Sequence, residues 1–548
     1  MTLTKVHNRM IEENIFNIVD YGGDPTGVSD STAAINSAFA AVETKGSGTV
    51  YFPAGEYLVT ATIGSSQSSN LTDIKVCGDT GAKINCNPSV YANYGLFLYW
   101  PNLRSIIVED LIIDGNDKTA SGISIRNQSV SASCDTAIVQ RCKVLNIKAI
   151  DNAGVTVSPT GIYIDSIFEG INAVVRDCII EDVTRSKTGL ATSGIIITKF
   201  RNTVISNNYI NNIRHSGVIG DKVDADGIKM FAIRAAGSFY DVTSEISNNT
   251  ILDCEGRAIK LQGNGSVLVQ NNNCRVQGAI ELIDNYHAID SQAGESVIKG
   301  NEIYFDDNFT GAGSGDAIGL AYPDATQDYN YQSFRTVCDS NKIFIRKKIP
   351  YVITYGAMPA STVIKVYTDI TNNTVSVADD DLTTTDQATE RPSHFCYANT
   401  SSWPTVANFT GEAVINVSNN IVDTYEFFTW SGGTGDYTDK IFLTIRDNIK
   451  YPTGFGRNLL SASTFYTSSL LLSGNQIGSV YNSGGVYWEF DFKKLLSGCN
   501  FYNASGTRTN GPAAYSFRQV ETGGGIFKVI DGTGMYLSQD ATTWTRIS

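Results

Sequence analysis

From about Ile106 the chain repeats one phrase of apolar and polar positions. An apolar residue is followed by two polar residues, often asparagine, then a variable residue, then an apolar one. The phrase occupies Val108–Ile113, Val139–Val144, Val175–Ile180, Ile205–Ile210, Ile246–Ile251, Val269–Cys274 and Ile298–Ile303. It continues at Cys338–Ile343, Ile370–Val375, Val417–Val422, Ile445–Lys450 and Leu472–Ile477. From Asn208 onward the copies stand 41, 23, 29, 40, 32, 47, 28 and 27 residues apart. A second phrase follows most copies: a small residue, Ile or Ala, any residue, then Ile, Leu or Met. Examples are Gly122-Ile-Ser-Ile, Gly161-Ile-Tyr-Ile, Gly194-Ile-Ile-Ile, Gly227-Ile-Lys-Met, Ala258-Ile-Lys-Leu and Ala279-Ile-Glu-Leu. Two short alternating strands per turn, with asparagine at the bend, predict a right-handed parallel β-helix. Asparagine suits the bend because it tolerates left-handed backbone and stacks on its own kind. A sandwich would instead show hairpin turns at regular short spacing.

The ends differ from the repeat. Asn17–Tyr21 reads as a short strand and Gly22–Gly27 as a loop. Asp30–Val42 reads as a helix capped by Asp30 or Ser31, with Ile35, Phe39 and Val42 on one face. Gly46–Val59 reads as a strand, a Pro-Ala-Gly turn and another strand. A helix ahead of a strand stack would cover its open apolar end. After about Val480 aromatic strands appear at Tyr487–Phe492, Tyr515–Val520 and Gly525–Ile530. The expected division is therefore 1–60 for the cap and first winding, 61–480 for the β-helix with loop insertions, and 481–548 for a C-terminal antiparallel module. That module would cover the last open edge and serve oligomerisation.

Composition narrows the function. A chain of 548 residues exceeds one ordinary core unless the core grows in one dimension. A net charge of −14 disfavours nucleic acid, which needs a basic footprint, and an anionic membrane surface. No apolar run reaches membrane-spanning length, and Met1–Asn14 lacks a secretory apolar segment. The ten cysteines are scattered and several fall at apolar strand positions, so they read as buried thiols of a protein made in a reducing cytoplasm. No His/Cys cluster has metal-ligand spacing, and no cofactor is expected.

The Asp-Pro-Thr-Gly-Val-Ser-Asp-Ser-Thr-Ala-Ala-Ile helix start, Val50-Tyr-Phe-Pro-Ala-Gly-Glu-Tyr57 and the asparagine-rich windings carry a resemblance that spans nearly the whole chain. The chain resembles the bacteriophage tailspike depolymerases of the pectate-lyase-like β-helix superfamily. That resemblance implies a homotrimer on a virion tail, partnered with other phage tail proteins and depolymerising the surface polysaccharide of a bacterial host. Ala225-Asp-Gly-Ile-Lys229 is similar to the polygalacturonase Asn-Thr-Asp-Gly-Ile-Asp strand but has Lys229 where an acid is expected. The Gly-His-Gly and paired Asp-Asp of that family are absent.

The densest chemistry is Val223–Met230 and its echo Cys254–Leu261. Aligning Ile228 with Ile259 puts Asp224 over Glu255, Asp226 over Arg257 and Lys229 over Lys260, while Glu281 falls over Lys260 in a third copy. Glycoside cleavage needs two carboxylates, one protonated and one ionised. Residues i and i+2 on a strand lie roughly 6.6 Å apart and windings ~4.8 Å. Asp224 with Asp226 would suit the on the order of 6.5–9.5 Å of inverting enzymes, and Asp224 with Glu255 the ~5 Å of retaining ones. Crowding of like charges would split their pKa values. Arg257, Lys260, Lys229 and Glu281 are the substrate-binding candidates, with Tyr322 and Trp403 as sugar platforms alongside Tyr329, Tyr331, Phe334 and Trp430. Asp284, His287 and Asp290 follow closely, and Asp316, Asp339 and Glu302 are held in reserve. The competing view is that the charges form solvated ladders on the outer face.

Endo-glycosidic hydrolysis is thus the first expectation. A polysaccharide lyase is the second: Lys229, Arg257 and Lys260 would neutralise a uronate carboxylate while a base takes the adjacent proton. A non-catalytic polysaccharide-binding spike is the third. Removal of acetyl groups is weaker, since no serine nucleophile motif is visible.

Overall fold

A computed structural model describes residues 14–66, 71–88, 92–100, 104–127, 134–149, 157–186, 190–214, 225–232, 243–263, 266–276, 286–292, 295–305, 315–320, 333–346, 349, 351–355, 365–377, 394–399, 412–424, 426–431, 441–450, 460–462, 469–473, 475 and short strands between 501 and 546. It divides into two units, Met1–Val267 with Arg275–Ile283, and Leu268–Cys274 with Asp284–Ser548. Both are wound as right-handed parallel β-helix.

In the first unit each winding contributes three strands, one to each of three ribbons. Ser47–Phe52, Asp73–Gly78, Ser105–Glu109 and Thr136–Gln140 stack as the first ribbon, and Gly55–Val59, Ala82–Cys86, Ile112–Asp114 and Lys143–Ala149 as the second. Ile63–Ser66, Ala92–Trp100 and Thr119–Asn127 begin the third. The expected two strands per turn are therefore three. The third is the Gly-Ile-x-Ile phrase, and two long strands, Thr160–Arg176 and Thr192–Ser206, run from the third ribbon into the first of the next winding. Pairing is parallel throughout, so the side chains that alternate inward, such as Val76, Val108, Val139 and Val175, form one continuous core.

The bend assigned to asparagine is divided between two adjacent positions. The third position of the phrase takes the left-handed conformation: Asp110, Arg141, Asp177, Asn207 and Asn248 in the first unit, and Asn271, Gly300, Ser340, Asn372, Asn419 and Asp447 in the second, have φ between 53° and 63°. The fourth position stacks. In the second unit Asn272, Asn301, Asn341, Asn373, Asn420, Asn448 and Asn475 are buried one above another. The Nδ2 of Asn341 donates to Asn373 Oδ1 at 2.9 Å and back to the Ile298 carbonyl at 2.9 Å, and its N–H donates to the same Oδ1 at 3.0 Å. In the first unit Asn208 and Asn249 make the same rung. Above them Cys178 and Cys142 occupy this position, each with its thiol against backbone carbonyls.

The helix spans Thr32–Lys45 and buries Ile35, Phe39 and Val42 as expected, with Ala34 and Ala38. Ser31 precedes it but makes no capping bond; its Oγ accepts from the Asp24 N–H at 2.9 Å, and Asp30 Oδ1 accepts from the Thr32 N–H at 3.0 Å. The strand expected over Asn17–Tyr21 is corrected. Ile15–Asn17 is strand, and Ile18–Tyr21 is a 3₁₀ turn because Asn17 Oδ1 accepts from the Val19 N–H and Gly22, at φ 93°, closes the other end. Near the C-terminus, Phe501–Tyr502 with Arg508–Thr509, and Tyr515–Arg518 through Thr545–Arg546, pair antiparallel, unlike the parallel windings before them. The expected strand at 487–492 lies outside the described residues.

Candidate functional site

The third ribbon of the first unit turns one face into the core and the other away from it. Inward, Ile123, Ile162, Ile195, Ile228 and Ile259 lie in register and are fully buried. The outward rows run Tyr94, Ser121, Thr160, Ser193, Asp226; then Phe97, Ser124, Tyr163, Ile196, Lys229, Lys260; then Tyr99, Arg126, Asp165, Thr198. The alignment of Ile228 with Ile259 and of Lys229 with Lys260 is the observed register.

Arg257 follows Asp226 one winding on, tied by the Gly227 N–H donating to the Arg257 carbonyl at 2.8 Å. Its Nε donates to Asp226 Oδ1 at 2.9 Å, and Lys229 Nζ lies 3.9 Å from Asp226 Oδ2. The Asp226 side chain is 0% exposed, and those of Lys229 and Arg257 are each 10% exposed. This is not a solvated ladder. Lys229, Arg257, Lys260 and the carboxylates of Asp226 and Glu255 are all largely withdrawn from water, at a desolvation cost that a merely structural surface would avoid. Glu255 is buried at the end of the preceding bend, where its N–H donates to the Ile213 carbonyl at 3.0 Å. It stands near Arg214. Burial works against that guanidinium's charge, but its hydrogen bond to Asp253 and the charges of Asp253 and Glu255 outweigh burial and raise its pKa.

The strand that carries Asp226 and Lys229 depends on Gly227. A Cβ there would stand 2.6 Å from Ile251 Cγ2 and 2.8 Å from the Ala258 carbonyl oxygen. Gly227→Ala should cost about 1–3 kcal/mol through overpacking and lower activity together with stability, a coupling that parallel thermal melts and turnover assays would show.

In Azotobacter vinelandii, mannuronan C5-epimerase AlgE1 is 47% identical over 115 residues, covering 18% of this chain and 8% of that protein. The matches span between 5% and 11% of the length of the curated relatives. Among solved structures, the N-terminal fragment of bacteriophage phi29 gene product 12 is 13% identical, with 91% of this chain and 74% of that chain covered at a TM-score of 0.49. The Dettilon tailspike protein is also 13% identical, with 98% and 80% covered at 0.42. A family model described as rhamnogalacturonase A/epimerase, pectate lyase-like, matches residues 15–313. The chain belongs to that family. Membership makes it a carbohydrate-active enzyme or binding protein of the pectate-lyase-like β-helix superfamily.

Within this family member, the described residues bring Asp226, Lys229, Arg257 and Lys260 together, with Glu255 on the adjoining bend. Asp224, Glu281, Asp284, Tyr322, Tyr329, Tyr331 and Trp403 lie outside the described residues. Phe334, His287, Asp290 and Trp430 fall on strands 333–339, 286–292 and 426–431, but their side chains are outside the description. The reserve acids belong to the second unit. Glu302 pairs with Lys342 at 3.0 Å, and Asp339 accepts from Thr371 and Asn372 at 2.6 and 2.7 Å. For Asp339, burial would raise the pKa, but these donors outweigh it and hold the carboxyl below its ordinary range. Both acids read as structural. Among the described residues no group of three or more His, Cys, Asp and Glu gathers as metal ligands.

Two groupings were missed at the sequence level. In the second unit, buried Asp316 is in register with Tyr351, and Tyr351 with His394. Asp316 Oδ2 accepts from the Thr354 hydroxyl at 2.6 Å, Tyr351 stacks on Tyr397 at 4.2 Å, and His394 Nδ1 lies 2.7 Å from Thr429 Oγ1. Burial first, then Tyr397 and Asp316, pushes the Tyr351 hydroxyl up to about 12. In the first unit, Arg126 lies among Tyr94, Phe97, Tyr99 and Tyr163. Only the strand register shows that residues so far apart in the chain share a face.

Proposed function

We propose that this protein acts on a uronate-containing polysaccharide, taking the proton next to the uronate carboxylate at the third ribbon of the first unit. The observation that carries this is the gathering of three basic side chains on one wall. Arg257 and Lys229 flank one wholly buried carboxylate, Asp226, which is bonded to Arg257, and Lys260 lies in register beside Lys229. A set rich in cations suits neutralising a substrate carboxylate, which acidifies the adjacent C–H. In the lyase reaction a base removes the C5 proton. The electron pair, held briefly against the neutralised carboxylate, forms the C4–C5 double bond, and the O4 glycosyl oxygen leaves and takes up a proton.

Hydrolysis by paired carboxylates has less support. It needs two acids free to exchange a proton and to attack or activate water, and here Asp226 is bonded to Arg257 while Glu255 faces the field of Arg214. The family description includes epimerase, and mannuronan C5-epimerases match part of the chain. Inversion at C5 shares the same first step and ends in reprotonation instead of elimination. The setting of a homotrimeric phage tail spike acting on host surface polysaccharide belongs to the proposal, on the strength of the motifs at Asp24–Ile35 and Val50–Tyr57. Light scattering at three times the 59.3 kDa chain mass would support it.

The test is to incubate the protein with polymannuronate, polygalacturonate and host surface polysaccharides. Near-ultraviolet absorbance from a new double bond is the expected result. Inverted residues by NMR without absorbance would indicate epimerisation, and new reducing ends without either would contradict the proposal. Full turnover by both Arg257→Gln and Lys260→Gln would move the seat away from this wall, with His394→Gln as the test of the second unit's Tyr351–His394 row.

A further inference from the structure

The same face carries a second cationic group that the proposed chemistry does not use. Arg126 sits in the outward row Tyr99, Arg126, Asp165, Thr198. Its guanidinium carbon is 5.4 Å from the centroid of the Tyr94 ring and 4.7 Å from that of Tyr163, one winding to either side. Tyr94 stacks on Phe97 at 4.3 Å, and Phe97 on Tyr99 at 5.7 Å. Arg126 Nε is enclosed yet has no hydrogen-bond partner, and so is the hydroxyl of Ser124 two residues before it. Asp165 is the cross-strand neighbour of Arg126, but its carboxylate is engaged by the Thr198 hydroxyl instead. Aromatic faces hold the guanidinium without using up its donors, and the Arg126 side chain is only half-buried, so an acceptor can approach it.

We propose that Arg126, framed by Tyr94, Tyr163 and the Phe97–Tyr99 stack, is a distal subsite that grips one sugar carboxylate of the same chain, with the aromatic faces packing against pyranose C–H faces. This rests on the reading above. Row by row, Ser124 leads to Tyr163, Ile196 and then Lys229, so the subsite stands three windings from the reactive wall, roughly 14 Å at ~4.8 Å per winding. That leaves room for a few linked rings between the two carboxylate-binding points. Such a subsite would make the enzyme prefer long, regularly charged chains over short ones. It contributes binding that is equal in ground and transition states, so it acts on KM and leaves kcat alone.

The experiment compares wild type, Arg126→Gln and Arg126→Lys, each checked for an unchanged melting temperature. Binding to polymannuronate, to its carboxyl-reduced counterpart and to dextran sulfate is measured by titration, and KM and kcat are measured separately on the polymer and on trimers. A fall of about tenfold in polymer affinity for Arg126→Gln (~1.4 kcal/mol), part recovery in Arg126→Lys, unchanged kcat and an unaffected trimer are expected. Unaltered polymer affinity in Arg126→Gln while wild type still makes unsaturated product overturns the subsite and spares the activity. Lost affinity in Arg126→Gln beside a wild type that binds the polymer but makes no such product upholds the subsite and rejects the activity. An equal loss toward dextran sulfate, or equal wild-type binding to the carboxyl-reduced polymer, overturns the proposal by showing that the site does not read a uronate. Failure of wild type to bind polymannuronate or any other uronan overturns both.

Discussion

Asp226→Asn should abolish turnover on a uronate polymer and loosen the strand on which it sits. The carboxylate is wholly buried and bonded to Arg257 at 2.9 Å, with Lys229 at 3.9 Å. Removing one partner of a buried pair leaves uncompensated charge and costs about 3–5 kcal/mol. Here both Arg257 and Lys229 lose this contact. Because a solenoid opens winding by winding, the loss should appear locally, as faster amide hydrogen exchange over 225–232 and 259–263 with the 365–377 strands unaffected. A double variant, Asp226→Leu with Arg257→Met, separates fold from chemistry. An apolar pair of similar volume removes both charges and should regain much of the lost protection, while activity stays absent. Recovery of activity along with stability would show that the pair is only structural.

Asn373→Asp should be among the most damaging single changes in the second unit, worse than Asn373→Ala. The side-chain Oδ1 of Asn373 accepts from the N–H and Nδ2 of Asn341 at 3.0 and 2.9 Å, and its Nδ2 donates to the Cys338 carbonyl and to Asn420 Oδ1 at 2.9 and 3.0 Å. Every hydrogen-bonding site of the amide is satisfied. Alanine leaves buried groups on both adjoining windings unbonded, at roughly 1–3 kcal/mol each. Aspartate is the same shape but has no donors, so it sets an anion against a carbonyl oxygen and a second Oδ1, both acceptors. The readout is soluble yield and melting temperature, with Asp below Ala below wild type. Equal behaviour of the two variants would mean that the stack is not held by these bonds.

The fold was legible because its determinants are local and repeated. Each Val-x-Asn-Asn phrase carries its own left-handed bend and its own stacking amide, and the core residues alternate within a few positions. The split of the two roles between Asn372 and Asn373 was not legible, since both positions are so often asparagine. The 3₁₀ turn at Ile18–Tyr21 was missed because an apolar run of four gives the same signal as a strand until the Asn17 side chain and Gly22 are seen to close it. Of the site, the register of Lys229 on Lys260 is legible in the echoing phrases. The burial of Asp226 could not, because exposure on the outward face depends on what surrounds it and not on alternation. Arg126 with Tyr94 and Tyr163, and Asp316 with Tyr351 and His394, were invisible for the opposite reason: the residue types change at every winding, so only three-dimensional stacking reveals the row.

The central claim is that the cationic wall of Lys229, Arg257 and Lys260 reads a sugar carboxylate. The most direct measurement is the initial rate on a uronate polymer beside the same polymer with its carboxyl groups reduced to alcohols, followed by near-ultraviolet absorbance and by reducing ends. The account predicts a rising absorbance on the first polymer, lost in Arg257→Gln, and neither signal on the second. Equal release of reducing ends from both, with no absorbance change, would contradict it.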